Sequence, residues 1–392
     1  MASASEAPAT PPLEREALLA EARLRTGLAD IGDTWFYEPM DVMLEATKSE
    51  AKLSDIGRVY EAERIVGYLA NRLRMVDLLK RHPEIHDEEV KVAAAVVSLS
   101  RTGSTKAHRM IGSAPGFTTM AWWEGQFPIP FPGEERGKPI VRRAQAQKLF
   151  ELWCQTMPDM MSIHPMGLDY PEEEALVIDH SFVGTMIEIF LWVPSYIKWL
   201  QTADQHRAYE ELKTALKLLQ WQETSRRGKS WILKSPSHLS APEALLDTFP
   251  EALIIQTHRD PLRSIPSHCS MNAMIIRMKT NEIDPKQVGS AASTNWAWRT
   301  HHLMDLRQRI GDDRFVDIQY QDLLDRPLEE ARRVFERLGR TMSPADEAAI
   351  SAWLANNKRE KWSPHIYDLE TYGLSEERIK ADFARYRERY CS

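Results

Sequence analysis

Cysteine is rare in this chain of 392 residues, which contains only Cys154, Cys269 and Cys391. Three widely separated cysteines exclude the paired framework of a disulfide-rich secreted domain, and they lack the spacing of a zinc site. Unpaired cysteines suit a reducing compartment. The sequence therefore predicts a cytoplasmic protein.

Long apolar runs and an excess of basic residues are also absent. No apolar segment approaches the roughly 20 residues of a membrane-spanning helix. The net charge of −7 gives no overall indication of binding to nucleic acid or to an anionic membrane. Residues 1–12 are small residues and prolines without the basic-then-apolar pattern of a secretory signal, which predicts a flexible tail. The remaining composition, 43% hydrophobic and 27% charged, is that of an ordinary globular protein.

Residues 13–88 are predicted to be a helical N-terminal region packed on a main domain that spans residues 89–392. Apolar residues recur at helical spacing over Asp55–Arg81 until Pro83 ends the pattern, and shorter helices are expected at Glu14–Leu28 and Met40–Ala46. Such helices could also form a lid or the surface of a homodimer. Packing is the preferred interpretation, because amphipathic stripes mostly build core.

The main domain alternates strand patterns with helix patterns, which predicts an α/β fold with a parallel sheet flanked by helices. Strands are predicted at Val92–Leu99, Ser230–Lys234, Ala252–His258 and Arg314–Gln319. Ligands of such sheets bind at the carboxyl ends of the strands. Those ends carry Arg101, Lys234, Arg259 and Tyr320. The C-terminal part is predicted as helices joined by a basic loop, Lys358–Lys361.

The segment after the first strand has the character of an anion-binding loop. It reads Arg101-Thr102-Gly103-Ser104-Thr105 and leads into a predicted helix. A helix N-terminus presents unpaired N–H groups and a positive dipole end, which favour phosphate or sulfate. An ordinary strand-to-helix turn with a Ser or Thr cap is the alternative. The Walker pattern is not met, because no glycine opens the loop and Lys106 follows the Ser-Thr pair, so an ATPase or kinase is disfavoured.

The later strand ends extend this anion-binding pattern. Lys234 and Arg259 add positive charge, and no matching set of acidic metal ligands accompanies them. Ser267 lies eight residues beyond Arg259, roughly two helical turns, and is expected on the same side as the Arg259 turn. Together these residues predict a doubly anionic ligand bound without a metal ion.

In these features the chain resembles sulfotransferases that use 3′-phosphoadenosine 5′-phosphosulfate (PAPS), in particular a bacterial branch. Arg101–Thr105 matches the family loop for the 5′-phosphosulfate, and Arg259 with Ser267 matches the pair that holds the 3′-phosphate. Leu233–Leu239 matches the Leu-Lys-Ser-Pro-x-His-Leu sequence of the bacterial branch. Tyr320–Leu323 resembles the Tyr-Glu-Asp-Leu element near the adenine.

The resemblance implies a P-loop-type sheet, PAPS as the sulfate donor and no metal. The residues it assigns to donor binding are Arg101, Thr102, Gly103, Ser104, Thr105, Arg259, Ser267 and Tyr320. Two features depart from the family pattern. Ser98-Leu99-Ser100 stands where Gly-x-Pro is usual, and Lys106 stands where an apolar residue is usual. Lys106 is expected to be a solvated helix residue in preference to a further sulfate ligand.

The implied reaction moves a sulfuryl group in line from PAPS to a substrate hydroxyl and leaves 3′,5′-ADP. Arg101, Lys234 and the loop amides with Ser104 and Thr105 are assigned to the charge that develops during transfer. Glu124 is the first candidate for the base, because Trp122, Trp123 and Phe127 would partly desolvate its carboxylate, and related sulfotransferases place a glutamate after the loop. His238 is the alternative base, although a histidine in such a turn is more often a hydrogen-bonding strut.

Aromatic residues and methionines around 120–131 and 186–199 predict a largely apolar pocket for the acceptor, as for a phenol, a sterol or a hydroxylated lipid. The acidic run Glu172–Glu174 is interpreted as favourable charge at a helix start. Val183–Leu200 is predicted as a core helix in preference to a pocket wall. A non-catalytic protein that binds a nucleotide anion stays open as an alternative function, and a small-molecule kinase is the less favoured one.

Overall fold

The structure, a computed structural model, describes residues 10–158, 161, 164–357 and 368–391. Most of the predicted N-terminal tail and the predicted basic loop Lys358–Lys361 lie outside the described residues. Five parallel strands form a sheet in the order β2-β3-β1-β4-β5. The strands are β1 (Val92–Val96), β2 (Phe117–Thr118), β3 (Ser230–Lys234), β4 (Leu253–His258) and β5 (Phe315–Gln319).

Helices make up most of the rest of the described chain. Before β3 they are α1 (Arg15–Thr26), α2 (Tyr37–Glu50), α3 (Asp55–Arg81), α4 (Ser104–Gly112), α5 (Trp122–Gln126), α6 (Ile140–Thr156), α7 (Ala175–Ile178), α8 (Met186–Phe190), α9 (Pro194–Leu200) and α10 (His206–Gln222). After β3 they are α11 (Ser237–Ser240), α12 (Pro242–Thr248), α13 (Pro261–Ile276), α14 (Pro285–Ile310), α15 (Tyr320–Asp325), α16 (Pro327–Arg337), α17 (Pro344–Asn356), α18 (Glu376–Asp382) and α19 (Ala384–Tyr390).

Strand β1 is buried on both faces, as its uncharged sequence predicts. Alternate side chains of a strand point to opposite faces. Ala94 and Val96 belong to one apolar core, together with α4 and α16, whereas Ala95 and Val97 belong to a second, larger core. Helices therefore cover both faces of the sheet, the arrangement typical of parallel sheets.

The N-terminal helices contribute to the larger core and contact the sheet through it. Leu18, Phe36, Ile65 and Leu69 are buried in the same cluster as residues of β1 and β3. Helix α3 has the predicted bounds. Helix α2 begins earlier than predicted, because Pro39 lies in its first turn, where proline is tolerated.

Two predicted segments are folded differently from expectation. The prolines of residues 122–132 predict an extended loop, but they begin only at Pro128, which leaves room for the single turn α5. Val183–Leu200 forms two short helices instead of one. The break lies at Val193, because the residue before a proline is disfavoured in helical conformation and Pro194 begins α9. The edge strand β2 is too short, at two residues, to show a period in the sequence.

The sheet order determines where a ligand can bind. Strand β1 lies between β3 and β4, so chain connections run to opposite sides from this point. Crevices outside the carboxyl ends of the strands at such a switch point are the usual ligand sites of open α/β sheets. In the described part of the chain, no helix combines the length and the apolar character needed to cross a membrane.

Candidate active site

The loop after β1 is fixed to β4 by buried hydroxyl groups. The Thr102 hydroxyl donates to the Leu99 carbonyl at 2.7 Å and lies 2.7 Å from the hydroxyl oxygen of Thr257. The Thr257 amide donates to the hydroxyl oxygen of Ser98 at 2.8 Å. Ser98, part of the departure from the family pattern, thus ties the loop entry to the neighbouring strand. The Thr102 side chain is fully buried, so only its backbone can face a ligand in this arrangement.

Two left-handed residues turn the loop into α4. Arg101 has φ of 67° and Gly103 has φ of 92°. A Cβ on Gly103 would lie 3.0 Å from Leu323 and 3.1 Å from Tyr320, so the position requires glycine. Arginine in this conformation is strained by about 1–2 kcal/mol. A strained residue at a helix N-terminus motivates the hypothesis that the Arg101 side chain has a function.

The turn after β4 lies directly beside the loop after β1. The Arg259 guanidinium donates to the Arg101 carbonyl at 3.1 Å, and Arg101 Nε donates to the Ser267 hydroxyl at 3.2 Å. The Arg259 guanidinium also lies 4.4 Å from the centre of the Tyr320 ring. The structure therefore brings together four residues that the sequence analysis assigned to one ligand, although 166 positions separate Arg101 from Ser267.

A cavity of about 270 Å³ opens at this junction, at the carboxyl ends of β1, β3 and β4. Its polar wall includes Arg101, Gly103, Ser104, Thr105, His164, Glu172, Glu173, Lys234, Arg259, His268 and Tyr320. Its apolar wall includes Trp122, Trp153, Met166, Leu176, Met186, Ile189, Phe190, Met271, Ile275 and Trp296. Val183–Leu200, predicted as a core helix, contributes to both the cavity and the core. Helix α8 forms part of the cavity wall, whereas Ile187, Tyr196 and Ile197 are buried in the core.

The acidic run Glu172–Glu174 directly precedes a helix, as its interpretation as charge at a helix start requires, and it also lies at the site. Glu173 accepts a hydrogen bond from the Lys234 ammonium, and Glu174 accepts one from the Lys234 amide at 2.8 Å. The Lys234 side chain is only 4% exposed. The run precedes the short helix α7 and places a carboxylate beside the cationic end of β3.

Glu172 is held in a buried cationic environment. It accepts a hydrogen bond from Arg109 at 3.4 Å and lies 3.1 Å from His164 Nε2. Burial by itself raises the pKa of Glu172, but the charges of His164, Arg109 and Lys234 hold that pKa below the usual range. Arg109 also donates to the carbonyls of Pro165 and Pro171 and so fixes this segment to α4.

Glu124, the first choice of base from the sequence, is not among the residues that line the cavity. Arg226 donates to both of its carboxylate oxygens, at 2.9 and 2.7 Å, and the Ala121 amide donates to it at 2.9 Å. The neighbouring aromatic residue Trp122 does reach the cavity. Glu124 therefore caps α5 and joins it to Arg226, because its side chain leaves the short helix on another side.

His238 is also outside the cavity lining and is fully buried. Its Nδ1 lies 2.9 Å from the Tyr209 hydroxyl, and its Nε2 lies 3.6 Å from Glu174. These contacts are those of a hydrogen-bonding strut, the role weighed in the sequence against that of alternative base. Burial raises the pKa of Glu174, against the opposing effects of His238 and the Lys234 amide. Lys106 is half-buried and is likewise absent from the lining.

Glu173, His164 and His268 also line the cavity, although no sequence pattern predicts them as site residues. Glu173 and Lys234 are 61 positions apart, and no spacing in the sequence connects them. His268 follows Ser267 on α13, and its Nδ1 lies 3.3 Å from the Ser100 hydroxyl. Burial, with the charges of Arg299 and Arg101, lowers the pKa of His268 to about 3, so this imidazole is neutral at physiological pH.

Comparison with known proteins identifies relatives of this chain. Residues 94–344 match the model of the family described as the sulfotransferase family. The ω-hydroxy-β-dihydromenaquinone-9 sulfotransferases Stf3 of Mycobacterium bovis and Mycobacterium tuberculosis are 28% identical over 167 residues, which cover 41% of this chain and 42% of each relative. The match thus spans less than half the length of these curated relatives.

Two crystal structures are similar over nearly the whole chain. Sulfotransferase STF1 of Mycobacterium tuberculosis H37Rv has a TM-score of 0.84 at 28% identity, covering 95% of this chain and 98% of that one. Sulfotransferase STF9 of Mycobacterium avium has a TM-score of 0.86 at 26% identity, covering 99% of this chain and 98% of that one. The likeness includes the N-terminal helices as well as the sheet.

Proposed function

The chain belongs to the sulfotransferase family, and from that membership we propose that it is an enzyme that transfers a sulfuryl group from PAPS to the hydroxyl of a largely apolar small molecule. The observation that carries the proposal is the cavity lined by the loop after β1, the turn after β4 and a wall of apolar side chains. A relative named for sulfation of ω-hydroxy-β-dihydromenaquinone-9 is consistent with an apolar acceptor.

The residues around the loop fit a donor with two anionic ends. Gly103 leaves space where any Cβ would meet Tyr320, and the α4 N-terminus opens beside it. We assign the phosphosulfate end to Arg101, the loop amides, Ser104 and Thr105, because cations and N–H donors stabilise such an anion. We assign the 3′-phosphate to Arg259 and to the adjacent Ser267, which is buried behind the cavity lining in this structure and accepts a hydrogen bond from Arg101 Nε. PAPS, when bound, supplies the sulfuryl group.

Lys234 and Glu173 are proposed as the residues that act on the reacting atoms. Both line the cavity and form an ion pair there. The acceptor hydroxyl loses its proton to the Glu173 carboxylate as its oxygen bonds to sulfur and the bond from sulfur to the phosphate oxygen breaks, which leaves 3′,5′-ADP. Lys234, at the end of β3, stabilises the charge on the transferred group. Glu173 replaces Glu124 and His238 as base, because a base must reach the proton that it removes.

The cysteines bear on the cellular compartment in which the reaction takes place. All three cysteines are free, which favours the reducing cytoplasm that we propose for the protein. The second partner is the small-molecule acceptor. The homodimer remains a prediction from the sequence, as one use of the N-terminal helices.

A transfer assay tests the proposal directly. The protein is incubated with PAPS and a panel of phenols, sterols and long-chain alcohols, and sulfated products are sought by mass spectrometry. We expect at least one sulfated apolar acceptor and an equal amount of 3′,5′-ADP. Binding of 3′,5′-ADP without product from any acceptor would favour the non-catalytic nucleotide-binding protein. Stabilisation of the protein against thermal unfolding by ATP with Mg²⁺, and not by 3′,5′-ADP, would favour the small-molecule kinase.

A further inference from the structure

A second cavity, of about 420 Å³, adjoins the first beneath α3 and α6. Four apolar residues line both cavities: Trp153, Leu176, Phe190 and Ile275. We propose that the acceptor is an elongated alcohol whose hydroxyl lies at Glu173 and whose apolar chain continues past these four side chains into the second cavity. This inference rests on the proposed function and specifies the shape of its acceptor.

The first cavity is small for a site that must hold two reactants. Sites for small molecules usually measure about 300–1,000 Å³. The first cavity, at about 270 Å³, must hold the reacting end of the donor as well as the acceptor hydroxyl. Little of its volume is left for the body of an acceptor, so an acceptor with a large apolar part needs further space.

The walls of the second cavity suit an apolar chain. Beyond the shared residues, Val66 and Ala70 of α3, Leu149 of α6 and Phe127 and Met278 line it. Burial of one methylene group stabilises a complex by about 0.8 kcal/mol, so such a wall favours an extended hydrocarbon chain.

The boundary between the cavities is also kept apolar, although charged residues lie close to it. The Lys279 ammonium lies 5.0 Å from the centre of the Phe190 ring and the Arg64 guanidinium lies 5.6 Å from it. Both cations are ion-paired with the fully buried Glu61, at 2.6 Å in the case of Lys279. The ring of Phe190 meets that of Trp153 edge to face at 6.1 Å. Arg64 and Lys279 themselves line the second cavity beside these rings, and their charges are paired with Glu61.

Part of the lining of the second cavity is polar and exposed to solvent. Arg25 of α1 and Glu63 of α3, both well exposed, line it and are paired with each other at 2.6 Å. Gly67, also exposed, lies on the same stretch of α3. These exposed residues form a mouth of the second cavity.

Gly67 offers a way to obstruct the second cavity without touching the first. No heavy atom lies within 4 Å of the position that a Cβ would occupy there. Gly67→Trp therefore fills space at the mouth, and Gly67→Ala is the matched control. Alanine and tryptophan both favour a helix more than glycine does, so neither substitution weakens α3 through helix propensity.

The experiment measures sulfation of butanol, octanol, dodecanol and hexadecanol, each as the primary alcohol, by the natural protein and both variants. We expect kcat/KM of the natural protein to rise with chain length, by up to about fourfold per added methylene. Gly67→Trp should lower kcat/KM for hexadecanol by about tenfold or more and leave butanol within about twofold, whereas Gly67→Ala should resemble the natural protein.

Two results would overturn the inference. One is a kcat/KM that does not rise beyond octanol, and the other is a Gly67→Trp effect that is equal for all four alcohols. Binding of the same alcohols to the protein loaded with 3′,5′-ADP, followed by calorimetry, separates this inference from the proposed function. Affinity that grows with chain length but without any sulfated product would contradict the transfer reaction and retain the chain-binding cavity. Affinity independent of chain length would refute the cavity itself.

Discussion

The ion pair between Lys234 and Glu173 is the residue-scale feature on which the chemistry depends. Both side chains are mostly buried, at 4% and 12% exposure, so each needs the other while the cavity holds no charged ligand. An anionic donor competes for the ammonium of Lys234. Binding of the donor would then release the Glu173 carboxylate from Lys234, and the free carboxylate could accept the proton of the acceptor hydroxyl.

Glu173→Gln should lower kcat by about 10²–10⁴-fold, because an amide cannot accept the acceptor's proton. The affinity for 3′,5′-ADP should change little by comparison. The matched variant is Glu124→Gln, which should reduce thermal stability through the loss of charge beside Arg226 but leave kcat within about tenfold. Turnover assays and calorimetry of both variants are the measurements. If Glu124→Gln lost turnover and Glu173→Gln did not, the base would be Glu124.

Asp179, between α7 and α8, provides a test by pH. It is fully buried, and burial raises its pKa to about 7 despite the opposing charge of Arg64. In the unfolded chain it ionises near pH 4. Between about pH 4 and pH 7 the folded protein therefore binds more protons than the unfolded chain. As pH rises through this range, Asp179 lowers the free energy of unfolding. Above about pH 7 the lost stability stays constant.

Asp179→Asn should remove that loss. The melting temperature of the variant relative to the natural protein should increase from pH 5 to pH 8, with a gain of up to about 3 kcal/mol at the higher pH. Asp55→Asn is the control, since the Asp55 side chain is fully exposed. A difference in melting temperature that stays constant with pH would show that Asp179 does not titrate as described.

At the scale of elements, the loop from β1 into α4 depends on one glycine. Gly103→Ala requires alanine in a left-handed conformation and brings a Cβ to 3.0 Å from Leu323. We expect the affinity for 3′,5′-ADP to fall by about tenfold or more, because the loop amides shift, and we expect unfolding to cost about 1–2 kcal/mol less.

Gly116→Ala serves as the control for that substitution. A Cβ there would meet only Arg340, at 3.5 Å, which is an ordinary contact distance. Calorimetric titration with 3′,5′-ADP should give the natural affinity for this variant. Equal affinities for Gly103→Ala and the natural protein would mean that the loop is not the anion site.

The elements differ in how far the sequence alone predicts them. Helix α3 and strand β3 have their predicted bounds, because a long amphipathic period and a short apolar run are both local patterns. The anion-binding turns are likewise recognisable, since the chemistry lies within a few consecutive residues. Glu173 could not be found in this way, because its partner Lys234 comes to it through the tertiary fold. Glu124 was assigned to the site from its aromatic neighbours, whereas the direction in which α5 turns its side chain is set by packing.

At the scale of the molecule, the central claim is that one nucleotide is held between two turns that are distant in the chain. The connection is direct, since Arg259 donates to the carbonyl of Arg101 at 3.1 Å across the carboxyl ends of β1 and β4. The helices on both faces of the sheet fix these strand ends relative to each other. The site is therefore a property of the whole fold and not of either motif alone.

The most direct measurement is calorimetric titration of 3′,5′-ADP, without added metal, into the natural protein, Arg101→Met, Arg259→Met and the double variant. Hydrogen bonds to charged groups contribute about 1.5–3 kcal/mol, so each single substitution should weaken binding by about 10–100-fold, and the double variant should bind more weakly than either. Natural protein that does not bind 3′,5′-ADP, or a single variant that binds it as tightly as the natural protein, would contradict the account.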